Sequence, residues 1–145
     1  MTDSDVAALR ARREALLLAH LNGETDMDAD AVLATMVDPP TYEFASVKRR
    51  LRGQDKVRAY LEHTFKALPG MVHRAVAIHH SEDSVIVETL TELPNGLDGT
   101  TPGKLETVPV IGVFPFDGEK SLGERLYADV SHMLPLLDEL GADET

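Results

Sequence analysis

The apolar periodicity of this chain changes once, near Met71, and that change limits the folds open to it. Before it, hydrophobic residues recur at the three-and-four spacing of helices; after it they alternate, as side chains do along strands. Helices first and strands afterwards is an α+β signature, an antiparallel meander with helices on one face, and not the alternation of βαβ units. No internal repeat is present. The only low-complexity piece, residues 94–103, is too short to be a domain linker. At 145 residues and 43% hydrophobic content, the chain is expected to form one domain, 1–145, around a single core.

Val6, Leu9, Leu16, Leu17 and Leu21 mark a first helix, capped near Asp3 to Asp5 and expected to end at Asn22-Gly23. A second, short helix carries Val32, Leu33 and Met36 inward and is expected to stop at Pro39-Pro40, whose rings cannot continue it. Thr41 to Ser46 and Val47 to Leu51 read as a small hairpin. The third helix is the clearest, with Val57, Tyr60, Leu61, Thr64, Phe65 and Leu68 on one stripe between Gly53 and Pro69-Gly70. Strands are then expected over Met71 to His80, Ser84 to Leu93, Lys104 to Phe116 and Leu122 to Val130.

The last part of the chain, VPVIGVFPFDGEKSLGERLYADVSHMLPLLDELG from Val108 to Gly141, joins two strand patterns through Asp117-Gly118. Alternation puts Arg125, Tyr127 and Asp129 on one face of the second strand and Glu124, Leu126 and Ala128 on the other. The polar trio is the face expected to look into a cavity.

This stretch resembles the C-terminal half of the SnoaL-like proteins of the nuclear-transport-factor-2-like (NTF2-like) superfamily. LNGETDMDADAVLATMVDPPTYEF, RGQDKVRAYLEHTFKALPG and GTTPGKLETVPVIGVF resemble earlier segments of the same family in the same order, over about 130 residues. The resemblance implies a cone in which three N-terminal helices pack into a strongly bent antiparallel sheet and enclose an apolar pocket. It also implies cofactor-independent acid/base catalysis, an aldol cyclisation or isomerisation, on a hydrophobic carbonyl compound such as a polyketide or steroid-like ring. A non-catalytic ligand-binding or assembly module on the same cone is the alternative, since fold alone does not name a reaction.

In that frame Asp129 resembles the terminal-strand aspartate used as general acid/base. A carboxyl desolvated by an apolar wall would have its pKa raised toward neutrality; the other reading is that Asp129 caps the C-terminal helix. Tyr127 and Arg125 are candidates for hydrogen bonds to a substrate carbonyl or enolate, with a core tyrosine and a surface ion pair as the alternatives. His73 is the second catalytic candidate. Glu88, sharing a face with Ile86 and Leu90, would pair with His73 across neighbouring strands, or else marks a solvated face. Tyr42 and Glu43 lie where related enzymes place a base. The resemblance does not extend to the ketosteroid isomerase mechanism, whose oxyanion tyrosine and second acid would fall near Leu17 and Gly112, nor to the arginine-aspartate spacing of the limonene-type epoxide hydrolases.

A formal net charge of -11 and a pI near 4.8 argue against nucleic acid or an anionic membrane as partner. There is no cysteine, hence no thiolate ligand, and the histidines show no local i, i+4 or i, i+2 pairing, so neither metal nor cofactor is expected. His79-His80 would point to opposite faces. The charged N-terminal helix is not a signal-peptide pattern and no apolar run reaches membrane-spanning length, so a cytoplasmic location is expected. A homodimer is expected through the outer face of the sheet, with Val85, Val87, Val110 and Val113 or their neighbours in the contact.

Overall fold

A computed structural model describes all residues, 1–145. Helix α1 runs from Asp3 to Thr25, α2 from Ala29 to Leu33 and α3 from Gln54 to Ala67. The strands are β1 (Met36–Phe44), β2 (Arg49–Arg52), β3 (Val72–His80), β4 (Ser84–Leu93), β5 (Glu106–Asp117), β6 (Lys120–Tyr127) and a two-residue β7 (Asp143–Glu144), with a short helix α4 at Leu134–Glu139. No helix is long and apolar enough to cross a membrane.

The four expected C-terminal strands form a continuous antiparallel meander. The hairpin of β1 and β2 does not stand apart from it. β1 pairs parallel to β6, giving one mixed seven-stranded sheet in the order β3-β4-β5-β6-β1-β2-β7. The α+β cone is thus observed, with one parallel junction in a sheet expected to be wholly antiparallel. Gly123, at φ 142° against the backbone of Thr41, permits the close approach at that junction, and the Ser121 hydroxyl, donating to Gly123 O and accepting from Gly123 N, stitches the register shift.

Two sequence boundaries move, each for a packing reason. Gly23 does not end α1: it is helical and buried, and a Cβ there would lie 3.0 Å from the Val32 side chain, so the glycine lets α2 dock against α1. The helix therefore continues through Glu24. Pro39-Pro40 does not end a helix either; α2 already stops at Leu33, and both prolines lie within β1, where the strand pairs to β6 only on either side of them, at Met36 and from Thr41 on.

Two apolar clusters make the core. One gathers α2, α3 and the β1–β2 hairpin around Val32, Phe44, Leu51, Val57 and Leu61; the other packs Leu17 and Leu21 of α1 onto Val85, Val87, Phe114 and Phe116. Val85 and Val87 are therefore interior, and Val110 faces the cavity between helices and sheet. Of the four valines expected on the outer face only Val113 stands there, beside the exposed Leu90, Ile111 and Tyr127.

Candidate active site

Polar side chains meet where the two apolar clusters adjoin. His20, one turn beyond Leu17 on the inward stripe of α1, is 0% exposed; its ring stands edge-on to Phe114 of one cluster at 5.4 Å and its Nε2 lies 3.2 Å from the hydroxyl of Tyr42 in the other. The Thr35 hydroxyl donates to Val32 O at 2.6 Å, so its oxygen accepts from His20 Nδ1–H at 2.9 Å. That chain fixes the ring orientation and aims Nε2 at Tyr42 and two carboxyls.

Around Nε2 stand Glu24 from the last turn of α1 at 3.4 Å and Glu124 from β6 at 3.8 Å. The second oxygen of Glu24 lies 3.2 Å from His73 Nε2, while His73 Nδ1 meets the Thr91 hydroxyl at 2.9 Å. Glu24 is thus held between two imidazoles. Glu124 has His20 as its one ion-pair partner.

Burial dominates the electrostatics here. Desolvation alone would depress the His20 pKa, but Glu124 and Glu24 outweigh it and push it up to about 10, so His20 is a cation at neutral pH. Desolvation raises Glu24, and the opposing pull of His73 and His20 overcomes it, leaving this carboxyl below its ordinary value. Glu124 goes the other way: burial raises it, Glu24's charge raises it further, and His20 only partly compensates. Tyr42 and Tyr60 are raised by burial and by the two carboxylates, so both hydroxyls keep their protons.

Glu24, Glu124, His73, Tyr42 and Tyr60 form part of the wall of a cavity of about 140 Å³ between the helices and the concave face of the sheet, with His20 buried behind them. Sixteen of its 25 lining residues are hydrophobic, so the carboxyls act in an apolar medium. Two carboxyls shifted in opposite directions and a protonated tyrosine on one wall, with the His20 imidazolium behind them, can donate and accept protons at a single bound molecule. His20 Nε2 and one oxygen each of Glu24 and Glu124 also lie within 4.8 Å of one another, a donor set for a cation that local spacing did not reveal. With His20 protonated its nitrogen has no lone pair to offer, so an ion would have to displace that proton.

Of the residues singled out in the sequence, His73 and Tyr42 enter this constellation and the others stand elsewhere. The alternation on β6 holds, but the inward face is the one bearing Glu124, Leu126 and Ala128. Arg125 and Tyr127 project outward and engage each other, Nε donating to the phenol oxygen at 3.0 Å. Asp129 lies at the cavity's rim, exposed, and accepts from the Ser131 hydroxyl at 2.9 Å and the Ser131 amide at 3.3 Å. Those bonds lower its pKa, the reverse of the rise expected for a desolvated general acid.

The expected His73–Glu88 pair does not form. A bulge between Ala75 and Ala77 inverts the alternation of β3, so His73 faces in and His79 faces out, and it is His79 that meets Glu88, at 2.6 Å on the outer face. His80 faces in and reaches Glu14 of α1 at 2.6 Å. His20, Glu24 and Glu124 were missed. A histidine and a glutamate four apart on the inward stripe of α1 were the available signal, hidden by ending that helix at Gly23.

The sequence model of the SnoaL-like domain matches residues 17–121. No curated protein matches the chain in sequence. Among solved structures, an NTF2-like protein of unknown function from Burkholderia pseudomallei K96243 superposes with a TM-score of 0.69 at 14% identity, over 87% of this chain and 97% of that one. A protein described as a SnoaL-like polyketide cyclase from Jannaschia sp. CCS1 gives 0.70 at 16%, over 88% and 92%. SalBIII, an epoxide hydrolase/cyclase-like enzyme in pyran ring formation in the polyether salinomycin, gives 0.71 at 17%, over 84% and 94%. At these identities the likeness is one of fold.

Proposed function

The chain belongs to the SnoaL-like domain family, and from that premise we propose that it is an enzyme of small-molecule metabolism that moves protons on a hydrophobic carbonyl compound. The observation that carries this reading is the placement of two carboxyls, Glu24 and Glu124, their side chains 12% and 11% exposed, around one buried imidazole beside an apolar cavity, where burial raises Glu124 and the histidines lower Glu24. Glu124 is the group that exchanges a proton with the substrate. Tyr42 donates a hydrogen bond to the oxygen on which charge develops, and His20, His73 and Glu24 hold the complementary charges in place. A passive binding module has no need of several ionisable groups kept out of water at a cost in stability, which favours the catalytic reading over the assembly one.

Exchange of α-protons for deuterium tests it. Wild-type protein in D₂O should accelerate exchange on at least one member of a set of hydrophobic ketones of one to four rings, as followed by proton NMR. Glu124→Gln, which keeps the shape and removes the titrating proton, should lose about 10² to 10⁴ of that rate. No acceleration above background across the set, or full activity in Glu124→Gln, would remove the assignment.

A further inference from the structure

The size and charge of the cavity limit its occupant more narrowly than the reaction class does. Its volume, about 140 Å³, is close to the roughly 150 Å³ of an apolar cavity that takes up benzene. One six-membered ring fills such a space, and a fused polycycle would either displace the walls or leave its other rings outside the rim. Sixteen of the 25 lining residues are hydrophobic and none is lysine or arginine, so a charged group entering the cavity would be desolvated against largely apolar walls. The Glu24 carboxylate is already held between His20 and His73, 3.4 and 3.2 Å away, so an entering ammonium would have to compete with two imidazoles for it.

Glu124 reaches the cavity because of its neighbour. A Cβ at Gly112 would lie 2.8 Å from Glu124 Oε1 and 2.8 Å from the Phe114 ring. Gly112 is not among the residues with positive φ, so its backbone does not require glycine; only the space does. The missing side chain is the notch in which the carboxyl stands.

We propose that the cavity takes an uncharged molecule built on a single six-membered ring, whose carbonyl or enol oxygen meets the Glu124 carboxyl in the notch left by Gly112. This rests on the proton-transfer reading of the same site and adds the size and charge of the substrate. Gly112 then acts as a positioning residue, setting where the acid can stand.

Calorimetric titration and ligand-observed NMR with matched probes test it: cyclohexanone, cyclohexanecarboxylate, cyclohexylammonium and the four-ring ketone androstenedione. Cyclohexanone should bind with a dissociation constant at least about tenfold below those of both charged probes, and androstenedione should not displace it. Gly112→Ala should weaken cyclohexanone at least about tenfold, with some loss of melting temperature because its Cβ also meets the Phe114 ring. Should that variant fail to fold, Val110→Phe, which fills the cavity from β5 and leaves Gly112 in place, should abolish ketone binding. A charged probe binding as tightly, displacement by the steroid, no ketone binding at its solubility limit, or unchanged affinity in the folded variants would each overturn the proposal. Selective ketone binding without deuterium exchange would refute the proton-transfer reading and leave the ring assignment standing, whereas exchange on the steroid alone would do the reverse.

Discussion

Two histidine–glutamate contacts stand on opposite sides of the same sheet, and the closer one carries the lesser weight. Outside, His79 and Glu88 meet at 2.6 Å with side chains 56% and 48% exposed. Inside, His20 and Glu24 are 3.4 Å apart, but their side chains are 1% and 12% exposed, and the His20 pKa is pushed up to about 10. Water screens the outer pair and replaces either partner when the other is lost. The inner pair has no water to fall back on, so each charge there depends on the others.

Removing one carboxylate from each side tests that difference directly. Glu24→Gln leaves the His20 cation buried with one acid fewer and should cost about 3 to 5 kcal/mol, the range for breaking a buried pair. Glu88→Gln removes the shorter contact and should cost under about 1 kcal/mol. Urea unfolding of both variants against wild type measures the two numbers, and equal losses would break the comparison.

The next effect is in the pH dependence. A histidine with a raised folded pKa contributes stability that is fully present below its unfolded value of 6.5 and is lost as pH rises toward about 10. Glu124, also raised, adds a slope of the same sign above 4.5, while Glu24, lowered, contributes stability that disappears as pH falls below 4.5. Stability should therefore peak near pH 4.5, falling above it as Glu124 ionises and more steeply above 6.5 as His20 is added, by at most about 1.4 kcal/mol per pH unit for each group. Melting temperatures from pH 5 to 10 follow this, and His20→Gln should flatten the upper limb. His79→Gln should leave it unchanged.

The same contrast explains what could be seen in the sequence. Periodicity is a local property, and it located α3, the four meander strands and the alternation of β6, because burial imposes it residue by residue. It does not say which face of an alternating strand is inward when both carry apolar and polar residues, and the larger polar trio, Arg125, Tyr127 and Asp129, drew attention to the solvated face. Nor does it register a bulge: one extra residue near Val76 separates His73 from His79 although their even spacing predicts a shared face. Glu124 finds His20 only through tertiary contact, across 104 residues of chain, and no local pattern encodes that.

The outer face offers a smaller test. We propose that Leu90, Ile111, Val113 and Tyr127 pair with those of a second copy, in place of the interior valines first expected there. Ile111→Glu, pointing away from the cavity, should halve the mass seen by light scattering at micromolar protein while leaving the ketone-dependent chemistry intact. A wild-type monomer would end this proposal without touching the inner site.

The smallest expected effect is at Asp129. Its Oδ1 accepts from both the hydroxyl and the amide of Ser131, and it is fully exposed to solvent screening. Asparagine carries the same oxygen in the same place and caps nearly as well as aspartate. Asp129→Asn should therefore leave both the melting temperature and the deuterium-exchange rate of wild type unchanged, while Glu124→Gln, two positions from Leu126 on the inward face of the same strand, loses the rate. If instead Asp129→Asn alone silences exchange, the proton passes at the rim and not at the buried end, and the weight assigned here to burial over proximity is misplaced for the chemistry even where it holds for stability.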